Sequence, residues 1–468
     1  MKFLPFIFLA VTIPTADGFT LFSPTDPYKP VESKKQSHSY SFVSSGMNGP
    51  KVSQRTITLK QAIEIGLSNN SGITAARWDS EAARARRHQA IGQQLPRISL
   101  VGSYTHYLDN QRLFPAGLPG DPTLLSKDIS SGDIVLTFPI FNGGRLVNQT
   151  RAAELLYQAS AHDLSRSREE LVFNITSIYY TILAQHQVIK SQEFSLNTLE
   201  EHVKRIDALM QARKAANVDK LRTEVQLANV HQQLVRERNL IAIQYRILKN
   251  LLGTEEYTDT LTLQGDLSID TSGSVISIDT SITAALNSRD DYLAAKVTVE
   301  AQARKIDIAK SSCLPSVYLR GSYGVRSAIG QTVGTGNDLG DAGGVGLSME
   351  MPIFEGGKLL AIVKEQQANL AAAQERLLKI KQQVRFEVES AVLSIQSSRE
   401  RLNAIMKSIE QAKEGYRIEQ QKYNLGNGAI VDVLDAQNAL LESETTYYRV
   451  LAEFHIAQAQ LKLARGEE

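Results

Sequence analysis

The apolar positions of this 468-residue chain follow two rhythms. Over most of its length they step alternately by four and three. Leu171, Ile175, Ile178, Ile182, Gln185, Ile189, Gln192, Leu196, Leu199 and Val203 keep that spacing in the first half. Val384, Val388, Ala391, Ile395, Ser398, Leu402, Ile405, Ile409, Ala412 and Tyr416 keep it in the second. A 3.5-residue stripe is the seam of a coiled coil. Residues 145–252 contain neither Gly nor Pro, and no Pro follows Phe354. At ~1.5 Å per residue, each long helix would reach roughly 100 Å.

The second rhythm has a period of two. In 316–325, Val317, Leu319, Tyr323 and Val325 share one face, and Ser316, Arg320 and Ser322 the other. In 344–354, Val345, Leu347, Met349, Met351 and Ile353 oppose Gly346, Ser348 and Glu350. In 133–141, Ile134, Leu136, Phe138 and Ile140 oppose a mixed face of Asp133, Val135 and Thr137. Such alternation predicts half-apolar strands. Their lengths are near the ~9–11 residues that a membrane-barrel strand needs. Loops rich in Gly, Pro, Asp and Asn separate the paired strands at 108–130 and 326–341.

The plan is written twice. "QLPRISLVGSY" (94–104) is echoed by "CLPSVYLRGSY" (313–323), and "FPIFNGGRL" (138–146) by "MPIFEGGKL" (351–359). The expected copies are 58–253 and 281–466, joined by a polar, β-branched linker at 254–280. Copy one should hold a helix over about 59–93, strands at 95–107 and 130–141, a long helix at 143–212 and a return helix at 218–252. Copy two should hold a helix over about 282–312, strands at 314–326 and 342–354, a long helix at 356–424 and a return helix at 430–465. Pro96 and Pro315 end the first helices, because a residue before proline is pushed towards β. Pro139 and Pro352 remove a ladder donor where pairing must stop. Gly143, Gly144, Gly356 and Gly357 then relax the backbone, a swivel between sheet and helix. These pairs lack the Lys-Ser/Thr of a phosphate loop, so they are not read as nucleotide sites.

The second long helix breaks at "NLGNGA" (424–429), where Leu425, Gly426 and Gly428 shape a turn. The matching stretch of copy one, Ala212-Arg213-Lys214-Ala215, has no glycine, so the two tips are not expected to share one geometry. Asp432 and Asp435 lie three apart on one face of the return helix, where copy one has Asp219 and Arg222. Acids are favourable at a helix N-terminus in any protein. Repeated around a pore, they would form rings of carboxylate.

Composition narrows the function. A formal net charge of +1 gives no electrostatic reason to expect a nucleic-acid partner. Cys313 is the only cysteine, which excludes an internal disulfide. The eight histidines are scattered without metal-protease spacing, and no nucleophile elbow occurs. "GTGNDLG" (334–340) has the wrong glycine spacing for a dinucleotide fingerprint. No enzyme, metal or cofactor is expected. Residues 1–18 read as a secretory signal, and 19–57 as an extended arm. No later stretch has the ~18 apolar residues of a spanning helix, so a membrane role requires a β-barrel or a peripheral site.

Four strands cannot close a barrel alone, and unpaired edges are not tolerated in lipid. Two chains would give a narrow barrel of about eight strands, filled by side chains. Three would give twelve and leave a lumen. The expected fold is mainly α with a membrane β-barrel portion. It has two internal repeats, coiled-coil helices forming a tube, and four strands per protomer in an oligomeric barrel. The competing reading is a soluble coiled coil with two small hairpins.

The order of motifs resembles the TolC-type outer membrane efflux protein family of Gram-negative bacteria. "ITLKQAIEIGLSNN" (57–70) is similar to its opening helix. The two LP-strand and PIF-GG motifs resemble its strand borders. "YNLGNGAIVDVLDAQNALLESE" (423–444) resembles its second helical turn. The resemblance covers about 58–466. It implies a trimeric outer-membrane channel with a periplasmic α-barrel, docked through a periplasmic adaptor to an inner-membrane pump. In that setting Asp432 and Asp435 are gate residues, and Leu425, Gly426 and Gly428 the adaptor-docking tip. Drug or metal efflux and type I protein secretion are not separated by the sequence; a structural periplasmic coiled coil is the third alternative. Tyr104, Tyr107, Phe138, Phe141, Tyr323 and Phe354 are either an interfacial aromatic girdle or packing at the barrel–helix junction.

Overall fold

The computed structural model describes residues 55–113, 124–213, 215–254, 261–268, 277–330, 332–333 and 339–467. The expected signal (1–18), nearly all of the expected arm and the loop positions 114–123 and 334–338 lie outside the described residues. In chain order the elements are β1 (Arg55–Ile57), α1 (Leu59–Asn69), α2 (Ser71–Gly92), β2 (Arg97–Arg112), β3 (Leu125–Phe141), α3 (Arg145–Gln211) and α4 (Asn217–Leu251). There follow β4 (Leu261–Leu263), α5 (Ile278–Ser288), α6 (Asp290–Ser311), β5 (Ser316–Ala328), β6 (Thr332–Val333), β7 (Leu339–Glu350), α7 (Lys358–Asn424) and α8 (Ile430–Arg465). No helix among the described residues is long and apolar enough to cross a membrane.

Two single helices in the sequence reading are each two helices. α1 and α2 part at Asn70, and α5 and α6 part at Arg289, both with extended backbone. Both breaks fall in runs of poor helix formers, Ser68-Asn69-Asn70-Ser71-Gly72 and Asn287-Ser288, which the expectation of one continuous helix passed over. At the first, the Asn70 side chain accepts from the amides of Gly72 (2.8 Å) and Ile73 (3.2 Å), capping α2. Its Nδ2 donates to Leu251 O at 3.0 Å, tying the break to the end of α4. At the second, Arg289 is only 2% exposed and grips Asp291 with two bonds of 2.8 and 2.9 Å. It also pairs with Glu387 of α7 at 2.5 Å. The end of α8 lies against this break, where Ser288 Oγ donates to Arg465 O at 2.6 Å.

β2, β3, β5 and β7 form an antiparallel sheet in that order, and β6 pairs with the far end of β3. Register sorts the residues by face. Ile98, Leu136 and Val345 share one cross-strand row, and Leu100, Ile134 and Tyr323 the next. Phe138, Leu319 and Leu347 make a third row on the same face. The opposite face carries Arg97, Thr137, Arg320 and Gly346 in one row, and Ser99, Val135, Ser322 and Gly344 in another. The apolar face is bare: Leu100 is 80% exposed and Val345 77%. β2 and β7 are the edges, each paired on one side among the described residues.

Three strand limits differ clearly from expectation. β2 and β3 run on into the polar stretch read as loop, with Arg112 opposite Leu125 across a bulge. Polar side chains there concealed backbone that is still paired. β7 stops at Glu350, four residues before the expected 354, because its partner β5 begins opposite at Ser316 and Pro352 has no N–H to donate. Pro139, by contrast, lies inside β3 beside a bulge, and Phe141 closes the strand.

The coiled-coil seam forms the core. Ile175, Ile182, Val384, Val388, Ala391 and Ile395 are buried in one cluster with Leu248, Leu451 and Phe454. Removing each large apolar side chain from water is worth ~1.5–3 kcal/mol. Two of the buried polar groups along the seam, Gln185 and Ser195, are paired across helices. Gln185 Nε2 donates to Glu237 Oε2 (2.5 Å), and Arg449 Nη2 meets the other oxygen at 3.0 Å. Gln437 Nε2 donates to Ser195 Oγ at 3.1 Å. These bonds join α3 to α4, α4 to α8 and α8 to α3, and each is lost if one helix slides by a turn.

Candidate gate, tips and swivels

The turn between α7 and α8 is a helix C-cap. Gly426 takes φ +77°, its amide donates to Tyr423 O (3.0 Å), and the Asn427 amide to Lys422 O (2.9 Å). Gly428 has no room for a side chain, since a Cβ would come 3.0 Å from the Tyr423 amide nitrogen. Leu425 is 77% exposed at the apex.

The turn between α3 and α4 overturns the expectation that the tips differ in geometry. Arg213 takes φ +55°, the only positive φ of a non-glycine among the described residues, and it stands at the place of Gly426. Its amide donates to Met210 O at 2.9 Å, as that of Gly426 does to Tyr423 O. The preceding Ala212 (φ −79°, ψ 3°) and Leu425 (φ −83°, ψ −2°) match, as do Ala216 (−88°, 148°) and Ala429 (−90°, 147°). A left-handed non-glycine costs ~1–2 kcal/mol, and the packed helices on both sides impose it here. Sequence reasoning missed Arg213 because arginine carries no signal for such a turn; only its alignment with Gly426 could have pointed to it.

Asp432 and Asp435 are both exposed on the first turns of α8. Between them Val433 and Leu434 are buried with Ile430, Leu199 and Ile206. Packing of α8 on α3 thus fixes the helix and leaves the two carboxylates pointing away from it. Neither makes an ion pair among the described residues. Copy one has Asp219 and Arg222 at these two places, and Lys220 between them is held by Asp207 at 2.7 Å. A further contact joins the two tips. Arg205 Nη1 donates to Asn424 Oδ1 at 2.6 Å, with its guanidinium 6.0 Å from the Tyr423 ring. Burial raises the Tyr423 phenol, and Asp219 adds to the rise while Arg205 opposes it. His202, one turn above, is 5% exposed. Burial holds its pKa below the ordinary value, helped by Arg205 and opposed by Glu201.

At the sheet–helix junctions, all four glycines are left-handed: Gly143 (φ +60°), Gly144 (+82°), Gly356 (+59°) and Gly357 (+84°). Two consecutive residues of this kind are accessible in practice only to glycine. The junctions differ in surroundings. A Cβ on Gly143 would meet Leu314 Cβ at 2.8 Å, and Ser311 Oγ donates to Gly143 O at 2.8 Å. Around Gly356 nothing lies within 4 Å. Of the aromatics near strand ends, Tyr104, Tyr323 and Phe354 are well exposed and Phe138 is half-buried. No group of three or more potential metal ligands occurs among the described residues.

A sheet with one bare apolar face, joined by glycine pairs to helices about twice as long as its strands, is the build of a membrane channel with a helical extension. The Outer membrane efflux protein family matches residues 47–254 and 281–467, and the chain belongs to that family. It is 23% identical over 423 residues to outer membrane protein TolC of Escherichia coli, covering 87% of this chain and 82% of that protein. It is 24% identical over 398 residues to the toluene efflux pump outer membrane protein TtgC of Pseudomonas putida, covering 82% and 78%. Among solved structures, a Pseudomonas aeruginosa membrane protein aligns with TM-score 0.75 at 21% identity, over 87% of this chain and 92% of that one. The outer membrane protein VceC of Vibrio cholerae aligns with TM-score 0.73 at 19% identity, over 87% and 96%. The family consists of channel proteins, not enzymes. Its members, this chain included, are placed in the outer membrane with a periplasmic extension.

Proposed function

We propose that this chain is the passive exit duct of a tripartite efflux system. It works as a homotrimer, conducting small molecules from a periplasmic adaptor and an inner-membrane pump to the outside. Residues 1–18 serve as its export signal, and 58–253 and 281–466 are two copies of one structural unit. The observation that carries this reading is the set of partners missing from a single chain. β2 and β7 each lack a neighbour on one side, and lipid does not tolerate open edges. Inside the chain, Gly143 rests on Leu314; the equivalent pair would be Gly356 and the exposed Leu95 of the next copy. α4 likewise leaves Val218, Leu221, Val225, Val235, Ile243 and Ile247 exposed, and α7 leaves Phe386, Leu393 and Met406. Cyclic repetition would cover each set with the other. Three copies would make a twelve-stranded barrel wide enough for a lumen.

In that assembly Asp432 and Asp435 would ring the periplasmic mouth and concentrate cations there. The tip at Leu425, Gly426 and Gly428 is the proposed adaptor-docking surface, and the glycine pairs with Pro139 and Pro352 the swivel between barrel and tube. The efflux names of curated relatives favour small-molecule export over protein secretion.

The test is reconstitution of the full-length protein in planar bilayers. Crosslinked trimers with stable conductance are expected, and Asp432→Asn with Asp435→Asn should lower cation preference without abolishing the channel. Unchanged selectivity would remove both residues from the gate. A soluble, elongated protein that never conducts would instead support a structural coiled coil. Crosslinks from the Gly426 region to an adaptor would identify the partner.

A further inference from the structure

The polar face of the sheet holds a charge pattern that the gate reading leaves unused. Arg97 of β2 pairs with Thr137 of β3, Thr137 with Arg320 of β5, and Arg320 with Gly346 of β7. The two arginines therefore occupy one cross-strand row, two strands apart, with only a threonine and a glycine as row neighbours. Both are exposed, and neither has a carboxylate within ion-pair distance among the described residues. Arg320 is steadied by the Tyr318 ring, 6.0 Å from its guanidinium carbon. The carboxylates on this face are Asp133 and Glu350, each four residues along its strand from the arginine row. At ~3.3 Å per residue they stand about 13 Å away. A second row, Ser103, Ser131, Arg326 and Gly340, adds another guanidinium towards the far end.

In an edge-to-edge closed barrel with strands in the order β2-β3-β5-β7, this row puts one guanidinium on every second strand. Neighbours would be about 9.6 Å apart, two strand spacings. That is slightly more than the ~8 Å Debye length at physiological salt, so neighbouring guanidiniums are partly screened from one another and act as a ring of weakly overlapping positive sites. Polar faces of membrane barrels point to the lumen. Guanidinium is weakly hydrated and pairs readily with carboxylate, sulfonate and phosphate groups.

We propose that Arg97 and Arg320 form a cationic belt at the helix-proximal end of the barrel lumen that favours passage of anionic solutes. This rests on the trimeric duct reading. The duct then has two opposed charge filters: carboxylates at the periplasmic mouth and guanidiniums where tube becomes barrel. Substrates that suit both carry a carboxylate or sulfonate together with a cationic group, so zwitterionic solutes are the favoured class.

The test measures reversal potentials of single channels in a potassium chloride gradient. Relative to wild type, Arg97→Gln with Arg320→Gln should lower the chloride-to-potassium permeability ratio severalfold. Arg97→Lys with Arg320→Lys should keep the ratio near wild type. Single variants, each removing half of the belt, give smaller shifts and keep the test available if the double variant does not assemble. Conducting channels whose reversal potential ignores these substitutions would overturn the belt while leaving the duct intact. A wild-type protein that inserts but never conducts would instead sink the duct reading, and the belt with it.

Discussion

At the tip between α7 and α8 a left-handed turn is made by Gly426; at the tip between α3 and α4 the same turn is made by Arg213. The flanking backbone angles agree within a few degrees. The path of the chain at both tips is therefore set by the packed helices, not by glycine. What glycine changes is the surface, which is bare at one tip and carries a long cation at the other.

The largest effect should come from exchanging those surfaces. Gly426→Trp is expected to abolish efflux, read as loss of resistance to a toxic substrate, while crosslinked trimers persist. Gly426→Arg tests the backbone separately, since Arg213 already shows that arginine can take this turn. Full efflux in both variants would remove this tip from docking. The reverse exchange, Arg213→Gly, should relieve strain and stabilise its tip by about 1 kcal/mol, visible as slower hydrogen exchange.

The two swivels give the next comparison. Gly143→Ala and Gly356→Ala face the same left-handed penalty, but in the single chain only Gly143 is crowded by Leu314. If the next copy covers Gly356, both variants should lose trimer yield equally on a native gel. Near-normal assembly of Gly356→Ala alone would mean that nothing packs there.

The smallest effect is a pH difference between the tips. His202 is buried, whereas its counterpart Gly415 has open space and nothing to titrate. The folded pKa of His202 is lowered by burial, so the unfolded chain takes up the proton first. Stability is present above the unfolded pKa of ~6.5 and is lost as pH falls from there towards the folded value. Hydrogen exchange of residues 199–211 should accelerate between about pH 7 and 5.5 more than that of 412–424, and His202→Leu should erase the difference. A difference between the two segments that persists after the substitution would assign the effect to other groups.

The long helices, the four main strands and the turn at 424–429 were legible because each is written in a period or in punctuation. Leu171 to Val203 repeat often enough to outvote local noise, and Pro96 and Pro315 mark edges that no helix former can override. Three kinds of feature left no such trace. β1 and β4 pair in parallel over only three residues each, too few for any period. The break at Arg289 depends on Asp291 and Glu387, and Glu387 is distant in sequence. Pro352 bars pairing only at its own position; that β7 already ends at Glu350 is decided by where β5 begins, a property of the pairing. For the site, Asp432 and Asp435 were visible as a motif. Arg97 and Arg320 become a row only once the register aligns them through Thr137.

α3 and α7 each contain 67 residues. That equality bears on how such a gene can change. One inserted codon in either helix would push its tip outward by ~1.5 Å and turn everything beyond it by about 100°. The apolar stripe would then face the wrong neighbour, and the two tips would no longer end at one level. Surviving length variants should therefore come as matched events in both halves, in steps of seven codons.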